Sequence, residues 1–119
     1  VLDGAILGKP KDAGDARRML GLLQGRAHEV ITGVAVLDGA SGEAKTARSV
    51  TRVFFKPLDE DRIARYVATG EPLDKAGAYG IQGLAAGFVE RIEGCYFNVV
   101  GLPVSLLGDL LADFGVRTI

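Results

Sequence analysis

Val30-Ile31-Thr32-Gly33-Val34-Ala35-Val36-Leu37, followed by Asp38-Gly39-Ala40-Ser41-Gly42, is the stretch that decides how this chain folds. The first run is apolar and β-branched, and it reads as a largely buried strand over residues 28–37. The second is a cluster of turn residues. Beyond it, residues 44–56 alternate in part, with Ala47, Val50, Val53 and Phe55 set against Arg48, Thr51, Arg52 and Phe54. That pattern predicts a second strand paired antiparallel with the first, stopped by Pro57.

Upstream, Val1-Leu2 and Ala5-Ile6-Leu7 flank Asp3-Gly4, a dipeptide suited to the two positive-φ positions of a type I′ turn, so the chain opens on a hairpin. Pro10 closes it. Asp12 is placed to cap a helix with Ala16, Met19, Leu20, Leu22 and Leu23 on one face and Arg17 and Arg18 looking outward, ended by Gly25. Downstream, Asp59 caps a second helix carrying Ile63, Tyr66 and Val67 at helical spacing, with Gly70 as its terminator. Residues 86–92 read as a strand and Glu93-Gly94-Cys95 as a turn. Pro103 suits the first position of a last helix with Val104, Leu106, Leu107, Leu110, Leu111 and Phe114 on a wide apolar face, and Gly115 ends it. The alternation predicts one α/β domain over residues 1–119, a mixed, largely antiparallel sheet flanked by helices.

At 119 residues, with 48% hydrophobic and 24% charged, the chain is long enough to bury one core. A net charge of −1 with interleaved signs offers no basic face for a nucleic-acid polymer, so any phosphate site must be local. The single cysteine, Cys95, excludes an internal disulfide framework and fits a reducing, cytoplasmic compartment. No apolar run is long enough to span a bilayer, so no membrane partner is expected.

Between the second helix and the later strand lies Gly-Glu-Pro-Leu-Asp-Lys-Ala-Gly-Ala-Tyr-Gly-Ile-Gln-Gly, residues 70–83. It is too polar for a core segment and too rich in glycine for an element interior. It reads either as an ordinary connection held by its own side chains or as a loop shaped to grip a small molecule with Glu71, Asp74, Lys75, Tyr79 and Gln82. Arg26 and His28, two apart at a strand entry, are expected to point to the same side. Nothing near His28 in sequence orients it as a base, and a lone histidine there more often ties down a loop.

Four segments carry a resemblance: Leu7-Gly8-Lys9-Pro10; the run Gly25-Arg26-Ala27-His28-Glu29-Val30-Ile31-Thr32-Gly33; residues 70–83; and Val-Glu-Arg-Ile-Glu-Gly-Cys-Tyr-Phe-Asn-Val-Val-Gly-Leu-Pro, residues 89–103. In that order they resemble the Maf family of septum-formation-inhibitor-like nucleoside triphosphate pyrophosphatases. The resemblance implies a twisted, inosine-triphosphatase-like sheet with a cleft between lobes, a homodimer, and Mg²⁺ or Mn²⁺ as cofactor. It implies hydrolysis of a nucleoside triphosphate to the monophosphate and pyrophosphate in a house-cleaning role, and the Gly-Ile-Gln-Gly form is associated with dTTP and UTP. By the same resemblance Lys9 faces the triphosphate as an electrostatic catalytic group, and Gln82 reads the base edge, an amide offering both acceptor and donors. Asp74 and Lys75, adjacent and expected to point apart, would meet metal and phosphate; Glu71 is a loop-stabilising carboxylate or a second metal ligand. Tyr79 packs near the base, and Asn98 anchors the turn before the last helix. Family members carry upstream a Ser-x-Arg-Arg phosphate clamp and an Asp-Thr strand end whose aspartate activates water. Neither occurs in these residues, so the chain is expected to resemble a carboxy-terminal portion, inactive alone; the alternative is a non-catalytic nucleotide-binding or assembly module.

Overall fold

A computed structural model describes residues 1–116 of the chain. Helix α1, Ala13–Leu23, begins where Asp12 accepts the Asp15 N–H at 2.8 Å and buries Ala16, Met19, Leu20 and Leu23, whereas Leu22, expected on the same face, is 40% exposed because it lies one position off the i, i+3, i+4 stripe. Strands β1, Ala27–Leu37, and β2, Ala44–Phe55, pair antiparallel from Ala27 opposite Phe54 to Leu37 opposite Ala44. Helix α2, Glu60–Ala68, is capped by Asp59, which accepts the Arg62 N–H at 2.7 Å. Strand β3, Val89–Glu93, adds antiparallel to the other side of β2, giving the order β1-β2-β3. Helices α3, Tyr96–Val100, and α4, Val104–Asp113, close the described chain. This is the α/β arrangement with antiparallel pairing that the alternation predicts.

The opening hairpin is a single tight turn. Leu2 and Ala5 exchange both backbone hydrogen bonds at 2.9 Å around Asp3 (φ 49°) and Gly4 (φ 80°), the geometry a type I′ turn requires. Val1 in turn exchanges bonds with Glu29, lying along the outer edge of β1.

Further details of the fold differ from the sequence reading. β1 is not largely buried: only its inward row from His28 to Val36 is covered, while Ile31 is 44% and Leu37 70% exposed. The core sits at one end of the hairpin, where α1, α2, Val53, Phe55 and Phe88 meet, and the rest of the hairpin projects beyond it. A radius of gyration of 16.7 Å and extents of 54 × 26 × 25 Å record that projection, against about 13–14 Å for a compact chain of this length. In β2, Thr51 faces inward and Val50 outward, because strict two-residue alternation ties position 51 to buried Val53 and Phe55. Residues 84–88 form a 3₁₀ segment, Leu84–Phe88, with Ala85 and Phe88 three apart and both buried, so the strand starts only at Val89. Arg26 lies before β1; its exposed side chain pairs with the Asp3 carboxylate while His28 is buried, so the two do not share a side.

Helix α3 had no periodic signal. α4 lies against the projecting hairpin, tied at its end by Lys45, whose Nζ stands 3.4 Å from Asp113 and 5.7 Å from the centroid of the Phe114 ring. Among the described residues no helix is long and apolar enough to cross a membrane.

Candidate functional site

The loop of residues 70–83 is built from short turns. Gly70 ends α2 in the left-handed region, Pro72 opens the 3₁₀ turn Glu71–Asp74, and a second, Ala76–Ala78, follows with Gly77 (φ 76°) inside it. Ala78 is also left-handed at φ 67°, a conformation unfavourable for a residue with a Cβ, and it is fully buried. The surroundings hold it there. The Gly77 N–H donates to the Gly8 carbonyl at 3.0 Å, joining the loop to the turn that carries Lys9.

Two side chains shape the loop from within. Glu71 folds back across it to accept the Leu84 N–H at 3.1 Å with both carboxylate oxygens. Gly83 leaves room for that carboxylate: a Cβ there would lie 1.9 Å from Glu71 Oε1 and displace it. Tyr79 is buried, its ring edge-on to Phe55 at 4.8 Å and to His28 at 5.4 Å, and its hydroxyl lies 2.6 Å from His28 Nε2. Burial, with a smaller effect from the Val1 ammonium, pushes the imidazole down to about 4, so His28 is neutral. Burial likewise pushes the Tyr79 phenol up, keeping its proton on. With Nε2 occupied by Tyr79, His28 is the loop tie that a lone histidine suggested and not a base poised on water.

Facing the loop stands α3. Asn98 is fully buried, and its Nδ2 donates towards Val30 O (3.0 Å), Ser49 O (3.2 Å) and Thr51 Oγ1 (3.0 Å). Thr51 Oγ1 also accepts the Cys95 N–H and donates to the Cys95 carbonyl, both at 3.1 Å. Gly94 lets this approach happen: a Cβ there would sit 2.8 Å from Thr51 Oγ1. Asn98 thus anchors the whole of α3 to the hairpin, and α3 delivers Val99 and Val100 to the site.

Two adjoining hollows result. One, of about 450 Å³, is polar: Glu71, Lys75, Gln82, Gly80 and Gly83 face Val99 and Val100. The other, of about 510 Å³, is mainly apolar, with Leu7, Val30, Ile31 and Ile81 beside His28. They share Ala76, Tyr79, Gly80, Ile81 and Val99. Gln82 is exposed, its amide without a hydrogen-bond partner among the described residues, and the Lys75 stem lies over Gly80, where a Cβ would meet Lys75 Cε at 2.8 Å. Lys75 and Asp74 do not point apart: their charged groups are 3.6 Å from each other, with the Asp74 side chain 79% exposed. Lys9 is exposed and lines neither hollow, being tied to the loop only through Gly8. Among the described residues no group of three or more His, Cys, Asp or Glu is placed to hold a metal ion. Chemically, the polar hollow offers one cation and one free amide, a set able to meet a phosphate and a polar ring edge. Thr51, Val99 and Val100 were not singled out in the sequence; a threonine on the apolar row of a strand was the one available signal.

Comparison with known proteins gives a consistent set of relatives. The family model described as "Maf-like protein" matches residues 1–114. The chain is 57% identical over its whole length to a dTTP/UTP pyrophosphatase of Pelotomaculum thermopropionicum, covering 62% of that protein. It is 60% identical over 113 residues to one of Chromobacterium violaceum, covering 95% of the chain and 56% of the relative. A third, from Acetivibrio thermocellus, is 56% identical over the whole chain, which covers 60% of it. The chain therefore spans about three fifths of the length of these relatives.

Proposed function

The chain belongs to the Maf-like family, and from that premise we propose that it supplies the base-reading and phosphate-contacting part of a nucleoside triphosphate pyrophosphatase acting on pyrimidine triphosphates of the dTTP and UTP type. The products are the nucleoside monophosphate and pyrophosphate. The observation that carries this reading is the free Gln82 amide lining the same polar hollow as Lys75. A carboxamide pairs with the N3–H and O4 that uracil and thymine display side by side; held in that orientation it would meet cytosine, whose N3 accepts and N4 donates, with like groups facing. Each such mismatch costs about 1–3 kcal/mol, enough for selection among bases.

Lys75 and Lys9 act as point charges on the phosphate chain, Lys9 opposing the charge that develops at the scissile phosphorus. A Mg²⁺ or Mn²⁺ arriving on the triphosphate would supply further neutralisation of its oxygens. Asp74, exposed, paired with Lys75 and lining neither hollow, would be its one carboxylate partner, magnesium being held by one or two carboxylates plus substrate phosphates. Glu71 fits less well, since both its oxygens are engaged by Leu84. His28 and Glu71 are engaged by Tyr79 and Leu84, and Glu29, exposed at the apolar hollow, is away from the Lys75 and Gln82 lining; the base that activates water would come from upstream residues, the chain alone binding without hydrolysing. We place the enzyme in the cytoplasm as a homodimer with a house-cleaning role. The exposed apolar row of Phe97, Val100, Leu102 and Val104 supports self-association.

The test compares UTP, dTTP and CTP in the chain and in a form extended upstream to the relatives' length. The extended form should favour UTP and dTTP over CTP by at least tenfold in kcat/KM, and Gln82→Ala should erase most of that preference. An unchanged preference in Gln82→Ala would refute the base-reading role, while binding without turnover in both forms would leave a non-catalytic nucleotide module.

A further inference from the structure

Of the buried polar groups, one pair has no part in gripping a nucleotide and yet connects the polar hollow to the sheet. Tyr79 lies midway between Lys75 and Gln82 in sequence, and it is the one side chain of that segment with a hydrogen bond to a strand, through His28 on β1. We infer that this bond is the positioning device of the polar hollow: Tyr79 donates its O–H to Nε2 of His28, and the tie sets where Lys75 and Gln82 meet the nucleotide. The inference rests on the proposed nucleotide reading of that hollow and adds to it two residues that act through others.

The direction of the hydrogen bond follows from counting. His28 Nδ1 is buried and has no partner. If Tyr79 donates, the imidazole carries its proton on Nδ1 and a single N–H is left unpaired. If His28 donates from Nε2, both the phenolic hydrogen and the Nδ1 lone pair go unused. The first arrangement leaves fewer unmet groups in a buried setting and is the tautomer assigned.

The tie also explains how the loop keeps its shape. Immediately before Tyr79, Ala78 holds a left-handed φ of 67° in full burial. Such a conformation persists only where the surroundings over-determine it. Gly8 fixes the loop through Gly77 on one side, and His28 fixes it through Tyr79 on the other.

The experiment uses the upstream-extended form with Tyr79→Phe, His28→Ala and His28→Gln. Phenylalanine keeps the edge-on packing against Phe55 and removes only the hydroxyl. We expect Tyr79→Phe and His28→Ala to raise KM for UTP by about three- to tenfold, the range for one lost hydrogen bond, with kcat within about twofold. His28→Gln, whose amide oxygen can accept from Tyr79, should restore KM. The 119-residue chain has a single histidine, so its own ¹⁵N spectra report His28 alone: wild type should show the Nδ1–H tautomer, and Tyr79→Phe should shift Nε2. A fall in melting temperature with unchanged KM would mean that the pair only stabilises the fold, and would overturn the inference. An Nε2–H tautomer would overturn the assigned direction. If wild type shows no turnover, the proposed function fails separately, and the backbone amide signals of Lys75 and Gln82 decide: Tyr79→Phe must move them, and unmoved signals would refute the positioning role.

Discussion

Replacing Asn98 by alanine tests how α3 is held to the sheet. The carboxamide is fully buried, and its Nδ2 reaches three oxygens between 3.0 and 3.2 Å, on Val30, Ser49 and Thr51. Two hydrogens shared among three acceptors make about two net hydrogen bonds, each worth roughly 1 kcal/mol, and a buried acceptor left unmet adds about 1 kcal/mol or more. Removing the carboxamide oxygen, itself buried without a partner, offsets about 1 kcal/mol, so the cost of Asn98→Ala is about 2 kcal/mol. Asn98→Asp should be worse at neutral pH, since an oxygen would then face three oxygens. Its folded carboxyl would titrate above the unfolded value, so its stability should fall as pH rises through that range, opposite in sign to wild type. Urea unfolding followed by far-ultraviolet circular dichroism gives the difference, with an unchanged slope showing that only the native state was weakened. A loss under about 1 kcal/mol for Asn98→Ala would refute the claim that this side chain anchors the wall of the hollow.

Other expectations follow from the same contacts. His28 titrates near 4 when folded and near 6.5 when unfolded, so the unfolded chain binds the extra proton between those values; wild-type stability should be full above about pH 6.5 and fall as pH drops to 4, by on the order of 3 kcal/mol, with His28→Gln flattening that slope in urea titrations. Gly83→Ala, whose backbone angles suit alanine, should displace the Glu71 carboxylate and free the Leu84 N–H, at about 1 kcal/mol; rapid exchange of the Leu84 amide checks it, and unchanged exchange would count against the Glu71 bridge. Phe97→Asp should reduce concentration-dependent association in sedimentation experiments, and an unaltered profile would remove that surface from any dimer contact.

The helices that start at Asp12 and Asp59 were legible because cap, apolar spacing and terminator agree there, and the β1–β2 pairing because a turn cluster separates two β-branched runs. The burial of β1 was misread. Composition shows that residues 30–37 are apolar, but not that α3 and α4 cover only one face of the hairpin. Thr51 was assigned to the wrong face because Val50 is the more apolar neighbour, whereas strand parity is set by Val53 and Phe55. α3 has five residues, too few to show a period, and its reason for existing is Asn98, whose partners lie 47 to 68 residues away. In the site, the loop and its polar residues could be read directly. The fold-back of Glu71 onto Leu84 and the approach of Lys75 to Asp74 could not, because both depend on 3₁₀ turns that glycine-rich sequence does not announce.

The central claim, cleavage of a pyrimidine triphosphate between its first and second phosphates, is tested most directly by identifying the products. Phosphorus NMR of UTP incubated with the upstream-extended form and Mg²⁺ should show UMP and pyrophosphate appearing in equal amounts. UDP with inorganic phosphate, or intact UTP beside demonstrable binding, would contradict it.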